Sequence, residues 1–153
     1  MFLRYIRATK FDAQLLIELN NKAYHSDFIK FKKCPGYGMC KENMEISLNR
    51  PDVEKYIIFD YNIPVGSFSI QRLGKGRYYI GNLVVIPENQ NCGIGSQTID
   101  FILDYYSDWK NISLITPAQK KENIYFYVQK CGFRIRKITK DSGIDVVVLV
   151  KTR

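Results

Sequence analysis

The sequence holds a single histidine, His25, and four cysteines, Cys34, Cys40, Cys92 and Cys131, none in a Cys-x-x-Cys pair. A structural zinc site draws four Cys/His ligands from closely spaced pairs, so the residue supply argues against a resident metal. A Cys34–Cys40 disulfide fits the spacing, but free thiols are the expectation for a cytosolic chain. No apolar run approaches the ~20 residues that span a bilayer. Met1 to Lys10 mixes charges with apolar residues, where a signal peptide would carry an uninterrupted apolar core. A cytoplasmic protein with no membrane partner is therefore expected. Repeats, low-complexity tracts and Pro/Gly/Ser linkers are missing too, so residues 1–153 read as one continuous domain.

What is present is enough to fold. Hydrophobic residues make up 46% and aromatic residues 14% of the chain, which supports a packed core and excludes disorder. The formal charge is +8. Basic residues gather at Lys30, Lys32 and Lys33, and again at Lys120, Lys121, Lys130, Arg134, Arg136, Lys137 and Lys140. Nucleic acid, a polyanionic cofactor or an acidic substrate would each use such charge, and so would plain solubility. Charge alone does not choose among them.

Phe2 to Arg7 alternates apolar and polar residues and predicts a strand. Thr9-Lys10-Phe11-Asp12 has the form of a capping box, and Leu15, Leu16, Leu19 and Ala23 follow at helical spacing. Phe28 to Cys40, with its Cys34-Pro35-Gly36-Tyr37-Gly38 core, reads as irregular. A short helix is expected from Lys41 to Leu48. Lys55–Asp60 and Ile63–Gln71 flank the turn Asp60-Tyr61-Asn62 and predict a hairpin. Gly74-Lys75-Gly76 turns into a strand from Tyr78 to Ile86, which Pro87 stops because proline has no N–H for a ladder. Ile99, Ile102, Leu103 and Tyr106 mark an amphipathic helix. Ile112–Thr116 is a short strand, Glu122–Cys131 a helix stopped by Gly132, and Phe133–Thr139 with Val146–Val150 a closing hairpin. The order β-α-α-β-β-β-α-β-α-β-β predicts an α/β mixed sheet with helices on both faces.

The chemistry concentrates in Val84-Val85-Ile86-Pro87-Glu88-Asn89-Gln90-Asn91-Cys92-Gly93-Ile94-Gly95-Ser96. There a strand ends, a glycine-bearing turn follows and a helix starts. The first helical turn has unpaired N–H groups and the positive end of the dipole. Glycines let the preceding backbone aim further N–H groups inward, which makes a donor cup for phosphate oxygens. A Walker loop is excluded, since no Gly-Lys-Ser/Thr follows. A dinucleotide fingerprint would need a third glycine and an early βαβ unit. On the glycines alone, an ordinary strand–turn–helix competes with the phosphate cup.

Family resemblance separates the two. Gln90-x-x-Gly93-x-Gly95 resembles the Gln/Arg-x-x-Gly-x-Gly/Ala signature of the GNAT superfamily of N-acetyltransferases. It lies in that family's setting, three residues past the proline that follows a Leu-x-Val strand (Leu83-Val84-Val85). Asn123-Ile-Tyr-Phe-Tyr127, followed by Lys130-Cys131-Gly132-Phe133, resembles the family's Asn-x-x-x-Tyr helix ending in Lys-x-Gly-Phe. The element order is that family's too. The resemblance spans the chain and is weakest from His25 to Pro51. It implies a central, mostly antiparallel sheet of six to seven strands flanked by about four helices.

The resemblance implies an acetyl-CoA-dependent N-acetyltransferase acting on a primary amine, by direct transfer in a ternary complex and without a metal. The pantetheine arm would lie along the backbone of Leu83, Val84 and Val85 on a bulged, splayed strand, with a backbone N–H near Val84 polarising the thioester carbonyl. The pyrophosphate would sit on the amides of Asn91, Cys92, Gly93, Ile94, Gly95 and Ser96, next to Gln90. Asn123 would bond the pantetheine arm, and Tyr127 would protonate the departing thiolate. Tyr127 stands five residues before Gly132, where such a tyrosine usually stands four before; Val128 holds the other register. Asn123 and Tyr127 are i and i+4 on one helical face, so an extra residue absorbed near the helix end would keep Tyr127 in place. The family's usual carboxylates are missing: Tyr79 and Leu114-Ile115-Thr116 stand where they would be. No base is named. The amine proton would leave through water, through Tyr79, or before binding.

The acceptor groove is expected from Tyr24 to Leu48 and from the last hairpin. Tyr24, Phe28, Phe31 and Tyr37 make it aromatic, and Lys30, Lys32, Lys33 and Lys41 make it basic. This favours a small-molecule amine that also carries a carboxylate or phosphate over a polyamine. A protein or peptide acceptor, a non-catalytic acyl-CoA sensor and a nucleic-acid module are the competing readings, the last the least favoured. A homodimer is common in such folds.

Overall fold

The computed structural model describes residues 1–32, 34 and 36–153. Lys33, expected in the acceptor groove, and Pro35 lie outside the described residues. The elements in chain order are β1 (Leu3–Arg7), α1 (Ala13–Phe31), α2 (Lys41–Leu48), β2 (Val53–Asp60), β3 (Ile63–Gly74), β4 (Arg77–Val85), α3 (Ile94–Tyr105), β5 (Asn111–Pro117), α4 (Lys121–Tyr125), β6 (Arg134–Asp141) and β7 (Ile144–Thr152). The strands form one sheet in the order β1-β2-β3-β4-β5-β7-β6. Every neighbouring pair is antiparallel except β4 and β5.

Local chemistry sets most of these boundaries. Thr9 and Asp12 form the expected capping box, with the Thr9 N–H donating to Asp12 Oδ2 over 2.8 Å. The box caps a single 3-10 turn that runs straight into α1. Ser142 and Gly143 both have positive φ, 51° and 82°, as a tight two-residue hairpin turn requires.

Helix α1 is longer than its apolar spacing predicts. Phe28–Phe31, expected to be irregular, are helical, and His25 is an exposed residue inside the helix. The helix stops at Lys32, whose φ is 59° and whose N–H donates to Phe28 O. The chain then folds back onto α1. The Gly38 N–H donates to Asn21 Oδ1 (2.8 Å), the Tyr37 ring stacks on Phe28 with centroids 4.5 Å apart, and its hydroxyl lies 3.1 Å from His25 Nδ1. Gly36 sits so close to the Tyr24 ring that a Cβ there would come within 2.4 Å.

The two faces of the sheet differ. On one, Tyr56, Ile58, Phe68, Ile70, Tyr78, Ile80, Ile112, Leu114, Val147 and Leu149 pack against α3 and the α4 region through Ile94, Ile99, Ile102 and Tyr127. On the other, α1 and α2 cover a smaller cluster of Leu16, Ile17, Leu19, Met44, Ile57 and Ile86. The rest of that face carries Lys55, Ser67, Ser69 and Tyr79, which alternate with the core residues along β2, β3 and β4.

Candidate active site

Strands β4 and β5 pair only at their beginnings, Arg77–Tyr79 against Asn111–Ser113. Beyond Tyr79 they part, which leaves one backbone edge of β4 open. The pairing of β3 with β4 slips between Ser67 and Ser69, opposite Val84 and Gly81, so β4 carries one extra residue there. Asn82 marks this bulge with a φ of 50°.

After the bulge, Val84 turns its carbonyl toward β3, where a Cβ on Gly66 would come within 2.3 Å of it. The Ile86 N–H likewise donates to Val65 O (2.9 Å). Backbone polar groups alternate along a strand, so those of Leu83 and Val85 face the gap. Near Val84, the backbone N–H groups that face the gap are therefore those of Leu83 and Val85. The Val85 carbonyl accepts from Gln90 Nε2 (2.9 Å), so the Gln90 side chain fixes the loop to the end of β4.

The loop then runs through Asn91 (φ 61°) and Gly93 (φ 86°) into α3. Among the described residues, the amides from Asn91 to Ser96 have no intramolecular acceptor; the Gln97 N–H, donating to Gly93 O, is the first that does. Six successive unpaired donors therefore lie on one turn. Gly95 lets this turn approach the α4 region, since a Cβ there would meet the Phe126 ring at 3.2 Å. Cys92 is exposed at the loop and Cys131 is buried in the core; all four cysteines are free thiols. Burial pushes the Cys131 thiol up to about 11.

Helix α4 passes directly into a π-helical turn, Phe126–Lys130. The Cys131 N–H donates to Phe126 O, five residues back, and Gly132 follows with a φ of 75°. A π turn takes up one residue more than an α turn, and that accounts for the additional residue between Tyr127 and Gly132. The Tyr127 ring is buried between Phe126 and Phe133. Its hydroxyl has no hydrogen-bond partner among the described residues, and no enclosed side-chain oxygen or nitrogen there lacks one, so the hydroxyl reaches open space. Burial, with Cys131 adding, pushes the phenol well above its ordinary value and keeps it protonated. Asn123 donates from Nδ2 to Thr116 Oγ1 (3.3 Å), tying α4 to β5.

Helix α1 closes the other side with a polar row that the sequence pattern does not reveal. Asn20, Tyr24 and Asp27 stand at i, i+4 and i+7 on one helical face. Asn20 Oδ1 accepts from Ser67 (3.3 Å), Tyr24 donates to Asn82 Oδ1 (3.2 Å), and Asp27 pairs with Lys120 (3.0 Å). One helix thereby touches β3, the β4 bulge and the turn before α4. Burial raises the Tyr24 phenol, with Cys34, Tyr127, Asp27 and Tyr79 adding in that order, so these groups share one neighbourhood. Tyr79 is raised by burial and then by Asp141. Asp27, Lys120 and Lys55 were not singled out from sequence for this site. Asp27 and Lys120 lie 93 positions apart, and only the fold joins them.

The Acetyltransferase (GNAT) family model matches residues 16–133. An uncharacterised Bacillus subtilis (strain 168) protein, YrkN, is 28% identical over 83% of this chain and 77% of its own. Among solved structures, an acetyltransferase from Thermus thermophilus superposes with a TM-score of 0.80 at 18% identity, covering 100% of this chain and 98% of that one. The PaiA N-acetyltransferase of Thermoplasma acidophilum, in complex with coenzyme A, gives 0.79 at 16% identity and full coverage of both chains. A Vibrio cholerae spermidine N-acetyltransferase with CoA and spermine gives 0.77 at 15%, covering 98% and 95%.

Proposed function

Since the chain belongs to the GNAT family and is an N-acetyltransferase, we propose that it moves an acetyl group from acetyl-CoA to the primary amine of a small molecule, directly and within a ternary complex. The observation that carries this reading is the run of six unpartnered amides from Asn91 to Ser96 beside the gap between β4 and β5. Backbone donors at a helix N-terminus suit a pyrophosphate, which explains why the loop itself needs no lysine.

In this reading the pantetheine arm runs along the open edge of β4 and bonds the backbone of Leu83 and Val85, with Val84 between them packed toward β3. The Asn123 carbonyl, left free by its bond to Thr116, takes a pantetheine amide. The amine nitrogen forms a bond to the thioester carbon, the carbon–sulfur bond breaks, and the amine proton passes to water, from which Tyr127 is reprotonated after it has served the sulfur. A β4 N–H facing the gap stabilises the developing oxyanion. The Tyr127 hydroxyl delivers a proton to the departing sulfur. Burial weakens this phenol as an acid, but the same desolvation makes the thiolate a stronger base, so the two stay matched.

The test is thiol release from acetyl-CoA in the presence of a panel of amines, paired with thermal stabilisation by CoA. Stabilisation together with amine-dependent release is expected. Stabilisation without release on any small amine or peptide would identify a sensor, and release only with peptides would move the acceptor to a protein. Salt-sensitive binding to generic DNA without CoA stabilisation would overturn the reading.

A further inference from the structure

Beneath α1 and α2, a small cavity opens against the sheet, lined by Asn20, Met44, Lys55, Ser67, Ser69 and Asn82. Its volume of about 10 Å³ holds roughly one water. Leu16 and Phe68 complete a lining that is largely apolar, and set into it are two groups with donors to spare, Lys55 and Asn20. Among the described residues the Lys55 ammonium has no ion-pair partner, although it is largely covered and Arg50 lies close enough to disfavour its charge. Arg50 is itself held by Asp52, whose other partner is Gln71. Asn20 is 5% exposed; its Oδ1 accepts from Ser67, and its Nδ2 donates to nothing described. Ser69 spends its proton on Gly81 O (3.0 Å). No carboxylate lines the cavity.

The Lys55 ammonium and the Asn20 amide N–H₂ have no acceptor among the described residues, and since no enclosed side-chain nitrogen there lacks a partner, both reach the open side of this space. Water serves such groups in the free protein, and an anionic ligand group that displaces it gains two charge-assisted or polar donors already in place. The position is also informative. Lys55 pairs with Ser69, and Ser69 with Gly81 at the edge of the β4 bulge. Two strand spacings, about 10 Å, separate the Lys55 backbone from Gly81 on β4, the strand whose far edge borders the gap proposed for the thioester.

We propose that Lys55 and Asn20 form a subsite for the acidic group of the acceptor, so that the preferred amine carries a carboxylate or phosphate within about 10 Å of its nitrogen. This rests on the acetyltransferase reading for the amine's position but not for the anion's. The cavity itself takes only about one water, so the acidic head sits at its open side, within reach of the Lys55 and Asn20 donors.

Matched probes test it: β-alanine against its amide, and O-phosphoethanolamine against ethanolamine, each measured for acetylation and for thermal stabilisation of the CoA-loaded protein. The wild-type protein should prefer the acidic member of at least one pair by about tenfold or more; which pair responds separates carboxylate from phosphate. Lys55→Met should remove that preference chiefly through KM, Lys55→Arg should retain part of it, and Lys75→Met, a charge loss in an exposed turn, should leave it intact. Circular dichroism of each variant checks the fold. No acid preference in the wild type, or an unchanged preference in Lys55→Met, overturns the proposal. Lys55-dependent binding of the acids without acetylation of any amine would leave the subsite standing and defeat the acetyltransferase reading of this site.

Discussion

The same strands build two unlike faces. Toward α3 and α4, the alternating positions of β2, β3 and β4 are Tyr56, Ile58, Phe68, Ile70, Tyr78 and Ile80, closely packed and apolar. Toward α1 and α2, one residue out of phase, they are Lys55, Ser67, Ser69 and Tyr79, with Gly81 beside them. A helix covers either face, so burial alone cannot explain the difference. The first face holds the molecule together. The second gives up apolar contact, orders a polar row on α1 from Asn20 to Asp27, and keeps donors of Lys55 and Asn20 open to ligand or water. Polarity retained under a helix at the expense of packing points to a ligand face.

This contrast is easiest to break from the apolar side. Leu149→Ala or Ile102→Ala, each at a fully buried position, should cost about 2–5 kcal/mol of stability, read by urea denaturation. On the chemical side, Tyr127→Phe should lower kcat about 100-fold while CoA-induced stabilisation is kept, because the lost hydroxyl has no partner in the fold. An unchanged kcat would make Tyr127 a packing residue only. Lys55→Met should change stability by less than about 1 kcal/mol, or raise it, since it removes an uncompensated charge; a large loss would mean that the polar face is structural after all.

The smallest expected effect is alkaline. The Cys131 thiol rises from 9.0 to about 11 on folding, and burial also raises Tyr24 and Tyr127. In that window the folded state holds more protons than the unfolded one. Their contribution to stability is therefore complete below pH 9 and is lost as pH rises through 11. Denaturation midpoints should fall across that range. At pH 8, iodoacetamide should label the exposed Cys40 and Cys92 well before Cys131.

Much of the fold was legible because it is local. Alternation marks the strands, Thr9 and Asp12 mark the start of α1, and Pro87 with Gly93 and Gly95 marks the loop before α3. The end of α1 was hidden because Tyr24, His25, Ser26 and Asp27 interrupt the apolar period. Two of them, Tyr24 and Asp27, are polar because they face the cleft, bonding Asn82 and Lys120. The displacement at Tyr127 was visible as a one-residue excess, but sequence could not say that a π turn absorbs it. Val84 looked equivalent to Leu83 and Val85, and only the close approach of Gly66 shows which way its backbone turns. Lys55 was invisible as a site residue because its significance lies in what fails to face it.

The measurement that bears most directly on the account is an amide chemical-shift map of the labelled protein titrated with CoA. The largest shifts should fall on Asn91 to Ser96, with a second group at Leu83 and Val85. Shifts confined to the basic edge strand from Arg134 to Lys140, or none at the loop, would contradict it.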